Sequence, residues 1–271
     1  MKSMMMGMIS VVIGAGMVFA GDPNKVVVDG STTVGPIAKA FAEYAMQKNP
    51  VMNITVSESG SGNGAKSLLN NACDVATMSR PMKNSEKKAA QEAGILAFET
   101  VVAMDGLAMI VHESNPVQGL TLEQIRAIYS GQIVNWKELG GPDQPIVLIS
   151  RDTNSGTYES FETLVMKGAK IGSKAEYVGS NGAIRQRVVS TPAAIGYVGL
   201  AFCEGVKVLA VNQVTPSAET VVNKSYPISR PLFMYTNGRP KAGTAKGDFV
   251  LLGNTPEGRK IIEDVGYIPV Q

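Results

Sequence analysis

Three loops of the sequence combine glycine with hydroxyl residues in a pattern that suits anion binding. They are residues 30–36 (GSTTVGP), 59–64 (SGSGNG) and 151–157 (RDTNSGT). Each loop follows a predicted strand and leads into a predicted amphipathic helix. Because the first turn of a helix has unpaired amides and carries the positive end of the helix dipole, small and hydroxyl residues there can surround an oxyanion with donors. The sequence therefore predicts an oxyanion site where these loops meet.

The alternative is that each loop is only a helix cap joined to a turn. Ser and Thr are frequent caps, so a single loop of this kind would favour that interpretation. Three loops of one design, with Arg151 four residues before the Ser155-Gly156-Thr157 turn, favour a binding site instead. In an open α/β sheet, ligands bind beyond the carboxyl ends of the strands, which is where such loops lie.

Catalytic chemistry finds little support in the sequence. The GxxxxGK[ST] phosphate loop of nucleotide hydrolases is absent. A serine nucleophile at Ser61 or Ser155 would need a base, and His112, at the end of an apolar run, is the single histidine. With one histidine and no CxxC pair, a zinc site is not predicted. We expect no catalytic residue, no metal and no cofactor.

Composition limits the partners. The 271 residues are 44% hydrophobic and 18% charged, which is typical of a globular protein of one or two domains. A net charge of +2 is too balanced to predict nucleic acid or an anionic membrane as the main partner. Cys73 and Cys203 could form a disulfide or remain buried thiols, and their spacing does not decide between the two.

Residues 1–20 have the pattern of a secretory signal peptide. Lys2 precedes an apolar run over residues 4–19, and small residues stand before Gly21. We expect export and cleavage between Ala20 and Gly21. The alternative is an uncleaved membrane anchor, for which the apolar run is short.

The remaining sequence alternates strand and helix patterns. Strands are predicted at residues 25–29, 53–57, 74–79, 146–150 and 195–199, and helices at 37–45, 65–72, 122–129, 158–166 and 257–264. An apolar run over residues 100–112 is long for one ordinary strand, as expected of a segment that leaves one lobe and enters another. A second apolar run, residues 231–235, could carry the chain back. We expect an α/β fold of two lobes, each a mostly parallel sheet flanked by helices, joined by two crossing strands. The first lobe would comprise residues 21–103 and 229–271, and the second residues 104–228.

The chain resembles a known family along most of its length. The motifs that carry the resemblance are residues 30–36, 59–66, 74–83, 104–111, 120–143, 150–161, 179–200 and 255–270. They are similar to those of the periplasmic phosphate-binding proteins of bacterial phosphate ABC importers. The resemblance implies a monomeric periplasmic-binding-protein fold that closes on inorganic phosphate by hinge motion and delivers it to a membrane permease.

The resemblance also implies a set of phosphate ligands by position. They are Ser31, Thr32, Thr33, Ser61, Arg151, Ser155, Gly156 and Thr157. Many members place an aspartate after the third strand to accept the proton of hydrogen phosphate, but this sequence has Ser79 followed by Arg80 at that point. Arg80 is a second candidate cation, whose alternative role is pairing with a surface carboxylate.

Asp105 is the substitute candidate for the proton acceptor. It interrupts the predicted crossing strand, where burying an unpaired carboxylate would be costly. We expect it either to accept the phosphate proton or to hold Arg80 or Arg151 in place. The alternative is a turn residue preceding Gly106.

Three other functions stay open at this point. The site could bind another tetrahedral oxyanion, sulfate or molybdate, because the loops alone do not select one. A phosphatase-like periplasmic enzyme on a similar scaffold is a second alternative, and a surface adhesin or scaffold without a ligand is a third.

Overall fold

Short strands alternate with helices along the chain. The computed structural model describes residues 22–270. The strands are β1 (Lys25–Gly30), β2 (Asn53–Ser57), β3 (Val75–Met78), β4 (Ala97–Val111), β5 (Gly119–Leu120), β6 (Val147–Arg151), β7 (Glu176–Val178), β8 (Ala194–Gly199), β9 (Lys207–Val211), β10 (Ser229–Asn237) and β11 (Ile268–Pro269). The helices are α1 (Gly35–Lys48), α2 (Ser61–Leu69), α3 (Asn84–Glu92), α4 (Leu122–Tyr129), α5 (Gly156–Phe161), α6 (Asn181–Val189), α7 (Ala218–Val222), α8 (Ala245–Leu251) and α9 (Pro256–Asp264). A π-helical turn, Glu162–Met166, continues α5.

The long strand β4 belongs to both lobes. The main strand order is β2-β1-β3-β10-β4-β8-β6-β7. Residues 97–106 of β4 pair with β10, whereas residues 107–111 pair with β8 and β9. The first lobe contains β1, β2, β3, β10 and the start of β4, and the second contains the end of β4 with β5 to β9. Both lobes therefore share one continuous strand.

Each lobe buries its sheet on both faces. Leu107, Met109 and Val111 of β4 lie in one core of the second lobe, and Ala108 and Ile110 lie in the core on the opposite face. This alternation follows from the two-residue period of a strand. Helices α4 and α5 cover the first of these faces and α6 covers the second. Helices α1, α8 and α9 cover one face of the first lobe, and α2 and α3 the other.

The predicted fold class is confirmed, with a more mixed sheet than predicted. Strands β1, β2 and β3 are parallel, as are β6, β7 and β8. The strands that carry the chain between lobes, β4 and β10, run antiparallel to their neighbours. The difference arises because a strand that returns to the first lobe re-enters its sheet in the opposite direction. The predicted lobe boundaries remain a prediction.

The predicted signal peptide, residues 1–20, lies outside the described residues. Across residues 22–270, no helix is both long and apolar enough to cross a membrane.

Cys73 and Cys203 are free thiols, and burial raises the pKa of both to about 12, which disfavours the reactive thiolate.

Candidate oxyanion-binding site

The predicted site residues gather at one edge of the sheet. Ser31 to Thr33 follow β1, Ser61 follows β2, and Ser79 follows β3, so the carboxyl ends of three parallel strands place them together. Arg151 ends β6 and is followed by the turn into α5. The antiparallel strand β10 contributes its first residues to the same edge. The two lobes meet along this edge.

Ser155 caps the start of α5, and Ser31 makes the same kind of bonds in the turn that precedes α1. The hydroxyl oxygen of Ser31 accepts from the amides two and three residues further on, at 3.1 and 3.3 Å. Ser155 does the same at 3.1 and 3.2 Å. Because each oxygen acts as an acceptor in these bonds, its own proton remains available to donate. Accepting from these amides and donating to an anion are therefore compatible roles for the same side chain.

Four hydroxyl groups form a buried cluster between the lobes. Thr33 and Thr157 are joined at 2.9 Å between their Oγ1 atoms, across the cleft. Ser79 Oγ lies 3.4 Å from Ser61 Oγ and 3.5 Å from Thr157 Oγ1. All four residues are 1% exposed, so the cluster is shielded from solvent. Rotatable hydroxyls in a dry site can serve as either donors or acceptors.

Gly156 permits this close approach. A Cβ atom built on Gly156 would lie 2.3 Å from Ser61 Oγ and 2.7 Å from Ser79 Oγ. Such distances are well below van der Waals contact, so a larger residue would separate the lobes. The glycine predicted as part of the third loop thus has a steric role in bringing the second lobe onto the first.

Arg151 is a buried cation with one unpaired nitrogen. Its Nε donates to the carbonyl of Val178 at 3.2 Å, and its Nη2 donates to the carbonyl of Gly179 at 2.9 Å. Its Nη1 is buried without a hydrogen-bond partner. Burial, reinforced by the positive charge of Arg230 and opposed by Asp152, lowers the pKa of Arg151 to about 10. A buried guanidinium nitrogen without a partner favours the binding of an anion beside it.

Asp105 holds a different arginine from those predicted. Its Oδ2 accepts from Nε and Nη2 of Arg230 at 3.2 and 3.0 Å, and its Oδ1 accepts from the amide of Leu200 at 3.0 Å. This corrects the prediction that Asp105 would hold Arg80 or Arg151, because Arg230 faces it directly in the β4–β10 register. Burial raises the pKa of Asp105, and the charge of Arg230 partly counters this shift.

Arg230 extends from this ion pair into the hydroxyl cluster. Its Nη2 donates to Thr157 Oγ1 at 3.1 Å and lies 3.5 Å from Thr33 Oγ1. Its Nη1 donates to the carbonyl of Ser79 at 3.3 Å. Arg230 is 4% exposed, and it contacts residues of both lobes. The site therefore contains a second guanidinium that the sequence analysis did not identify.

Asn181 is the second site residue that the sequence analysis missed. It starts α6, and its Nδ2 donates across the cleft to Thr32 Oγ1 at 3.1 Å and Thr33 Oγ1 at 2.9 Å. Its Oδ1 accepts from the amide of Gly199 at 3.3 Å. Fully buried, Asn181 fixes two hydroxyls of the first loop from the opposite lobe.

Arg80 lies next to the cluster but points onto carboxylates. Its Nη1 and Nη2 each donate to Glu86 at 2.7 Å, and its Nε lies 2.8 Å from Glu159 Oε2. This geometry matches the alternative role given for Arg80, ion pairing, rather than anion contact. The reason is that α3 and α5 both place an acid within reach of the residue after Ser79.

The arrangement provides charge and donors without a reactive pair. Arg151 and Arg230 carry two positive charges and Asp105 one negative charge, which leaves an excess of +1 beside many hydroxyls. His112 is bonded to Ser114 at 2.8 Å on a partly exposed turn. Among residues 22–270, no group of three or more His, Cys, Asp or Glu could hold a metal ion. Such a site can bind and dehydrate an oxyanion.

Comparison with known proteins places this chain in a family. The model of the PBP superfamily domain matches residues 18–250. The phosphate-binding protein PstS of Borreliella burgdorferi is 33% identical over 268 residues, covering 92% of each chain. PstS of Bacillus subtilis is 33% identical over 252 residues, covering 91% of this chain and 81% of its own.

The chain belongs to the PBP superfamily, in the family of the phosphate-binding proteins PstS. The structure of a protein described as a phosphate ABC transporter substrate-binding protein from Clostridium perfringens, solved with bound phosphate, supports this membership. It superimposes with a TM-score of 0.84 at 35% identity, covering 92% of this chain and all of that one. An ABC-type phosphate transport receptor from Vibrio cholerae superimposes with a TM-score of 0.72 at 31% identity, covering 90% of this chain.

Two different signals bear on the missed residues of this PstS-family site. Asn181 stands in Gly179-Ser180-Asn181-Gly182, which repeats the glycine and hydroxyl design of the three predicted loops, so it could have been found. Arg230 lies at the start of an apolar strand with no such loop. Only its pairing with Asp105 across two strands distant in sequence reveals its place.

Proposed function

We propose that this protein binds one inorganic phosphate ion between its two lobes, closes over it, and delivers it to the membrane permease of an ABC importer. The observation that carries the proposal is the buried, unpaired Nη1 of Arg151, the residue that ends β6 and starts the loop leading into α5. The PstS relatives named above are phosphate-binding proteins, and the C. perfringens structure contains phosphate. Binding without turnover agrees with the absence of a nucleophile–base pair from the described part of the site.

The donors are sufficient to replace the water around phosphate. A charge-assisted hydrogen bond contributes roughly 1.5–3 kcal/mol, and opposite charges about 4 Å apart contribute about 4 kcal/mol at an effective dielectric near 20. Arg151 and Arg230 with several hydroxyl and amide donors can therefore offset desolvation. We expect micromolar or tighter binding, which corresponds to about −8 kcal/mol or beyond.

We assign each residue a role in this binding. The anion ligands we propose are Ser31, Thr32, Thr33, Ser61, Ser79, Arg151, Ser155, Gly156, Thr157 and Arg230. Asn181 orients Thr32 and Thr33, and Asp105 orients Arg230. Arg80 is left out of this set because its Nη1 and Nη2 donate to Glu86 and its Nε lies 2.8 Å from Glu159 Oε2.

The proposal extends to where the protein acts and to its oligomeric state. Residues 1–20 act as a signal peptide that is cleaved before Gly21, so that the mature monomer works in the periplasm beside its permease. The positively charged start and the short apolar run support this proposal. Mass spectrometry of protein recovered from the source cells tests it, and an intact Met1 terminus in the mature pool would contradict it.

A calorimetric titration with phosphate, sulfate and a phosphomonoester tests the binding function. We expect saturable binding of phosphate at one site, much weaker binding of sulfate, and no turnover of the ester. Tighter binding of sulfate or molybdate would identify another oxyanion as the ligand. Hydrolysis of the ester would indicate a phosphatase, and the absence of binding to all three would indicate a scaffold.

A further inference from the structure

A second contact between the lobes lies outside the anion site. In the first lobe, Arg80, Lys83 and Glu86 stand at the start of α3 and just before it. In the second lobe, Glu159 projects from α5. Glu159 Oε2 lies 2.8 Å from Arg80 Nε and 2.8 Å from Lys83 Nζ, so one carboxylate of the second lobe meets two cations of the first.

The contact is more buried than an ordinary surface ion pair. The side chains of Arg80, Glu159 and Glu86 are 6%, 15% and 17% exposed, whereas that of Lys83 is 50% exposed. Arg80 is braced within its own lobe by two 2.7 Å bonds to Glu86. Despite burial, the carboxylates of Glu86 and Glu159 raise the pKa of Arg80, and Arg80 and Lys83 lower the pKa of Glu86. Arg80 and Glu86 are therefore joined within the first lobe by bonds that do not depend on Glu159.

The residues of this contact are close in sequence to proposed ligands of the anion, so one motion of the lobes moves both. Ser79, a proposed anion ligand, directly precedes Arg80, and Thr157, another, stands two residues before Glu159. The hydroxyl of Ser160 also donates across the cleft to the carbonyl of Ser79 at 3.1 Å. A rigid motion that separates Thr157 from Ser79 must therefore also separate Glu159 from Arg80.

We propose that Glu159, held by Arg80 and Lys83, is an electrostatic latch that stabilises the closed form and sets the residence time of the anion. The proposal rests on the proposed function, since the latch acts through the closure that binds phosphate. A group that favours the closed form equally for every ligand raises all apparent affinities by one factor, because each depends on the population of the closed form. The latch thus controls how tightly anions are held, and the groups in the site control which anion is chosen.

Opening changes the charge that each lobe presents. In the closed form, two cations and two carboxylates balance. In the open form, Arg80, Lys83 and Glu86 leave an excess of +1 on the first lobe, and Glu159 leaves −1 on the second. Attraction between these charges favours closure and is screened by salt, most strongly at the half-exposed Lys83.

The substitution Glu159→Gln tests the latch, with Glu162→Gln as the matched control. Glu162 begins the π-helical turn that continues α5, and burial together with Glu162 raises the pKa of Tyr158 in the same lobe. We expect Glu159→Gln to weaken phosphate binding about 5- to 50-fold, within the range of typical coupling between sites. The loss should appear as faster dissociation in stopped-flow measurements, with the ratio of phosphate to arsenate affinity unchanged. Glu162→Gln should bind like the wild type.

Two further measurements test the latch: a double-mutant cycle, and the shape of the protein without phosphate. Lys83→Met and the double variant complete a double-mutant cycle with Glu159→Gln, in which a latch predicts non-additive losses. X-ray scattering without phosphate should show a more open average shape for Glu159→Gln than for the wild type. Wild-type affinity and shape in a folded Glu159→Gln protein would overturn the latch. A wild type that binds no phosphate would instead overturn the proposed function.

Discussion

Arg151 is held by two backbone carbonyls, so its charge has no carboxylate bound directly to it. Oδ2 of Asp152, whose side chain is partly exposed, lies 3.8 Å from Nη2 of Arg151. The lowered pKa, about 10 against the ordinary 12.5, corresponds to a cost of about 3 kcal/mol for keeping the charged form buried. Below the folded pKa the whole of this cost is present, because both the folded and the unfolded chain carry the proton. At neutral pH the unliganded protein therefore bears it in full.

Replacing Arg151 should weaken phosphate binding without lowering the stability of the unliganded protein. We expect Arg151→Met to lose phosphate affinity by at least about 2–3 kcal/mol, as for one partner of a buried charge pair. The unliganded variant should unfold at the wild-type Tm or above it, because the buried charge is gone. Calorimetric titration and thermal unfolding measure the two effects. A folded variant with wild-type affinity would show that the anion binds elsewhere.

Asp105→Asn distinguishes the roles that remain for this carboxylate. Because Asp105 fixes Arg230 through Oδ2, we expect the amide to misplace the guanidinium and to weaken phosphate and sulfate binding together, by about tenfold or more. Titrations with both anions measure the change. Weaker phosphate binding with stronger sulfate binding would instead identify Asp105 as the proton acceptor, since a carboxylate repels an unprotonated anion. Unchanged binding of both would leave it as a turn residue.

The sequence predicts residues that depend on local patterns better than those that depend on distant pairing. The hydroxyl loops were found because a strand, a glycine-rich turn and a helix follow one another in the chain. Arg80 looked like a ligand because it follows Ser79, but Nη1 and Nη2 of its guanidinium donate to Glu86 instead. Arg230 was missed because its partner Asp105 is joined to it through the β4–β10 register, which the sequence does not reveal.

Among the elements, the start of α5 brings the second lobe into the site. Its first residue, Gly156, faces Ser61 and Ser79, and no side chain fits between them. The sequence predicted this helix from residue 158, two residues late, because the apolar period begins only after the turn. The same offset hid the fact that Gly156 belongs to the helix and that its lack of a Cβ permits contact between the lobes.

Gly156→Ala should prevent full closure. The added Cβ would overlap Ser61 Oγ, so we expect phosphate affinity to fall at least about tenfold while each lobe stays folded, because alanine favours a helix. Gly182→Ala is the control, since the first turn of α6 leaves its Cβ no closer than 3.8 Å to the nearest atom. Titration of both variants, with circular dichroism to verify folding, decides the matter. Equal losses in the two would refute the steric role.

At the scale of the whole molecule, binding should stabilise both lobes at once. Phosphate at about 1,000 times its Kd would stabilise the folded protein by about 4.1 kcal/mol. For a protein of this size, that corresponds to a rise in Tm of about 8–16 °C. Differential scanning calorimetry with phosphate, against sulfate at equal concentration and ionic strength, measures it. An equal rise with sulfate would show that the site does not select phosphate.

The position of β10 has a consequence for how the chain folds as it is made. In the first lobe, β10 lies between β3 and β4, yet it is synthesised after every strand of the second lobe. Until residues 229–237 emerge, the inner edges of β3 and β4 have no partner, and open strand edges invite misassembly. The second lobe draws on one contiguous stretch of chain and can be completed earlier. We therefore expect folding to proceed from the middle of the chain outward, so that the lobe that begins first is finished last.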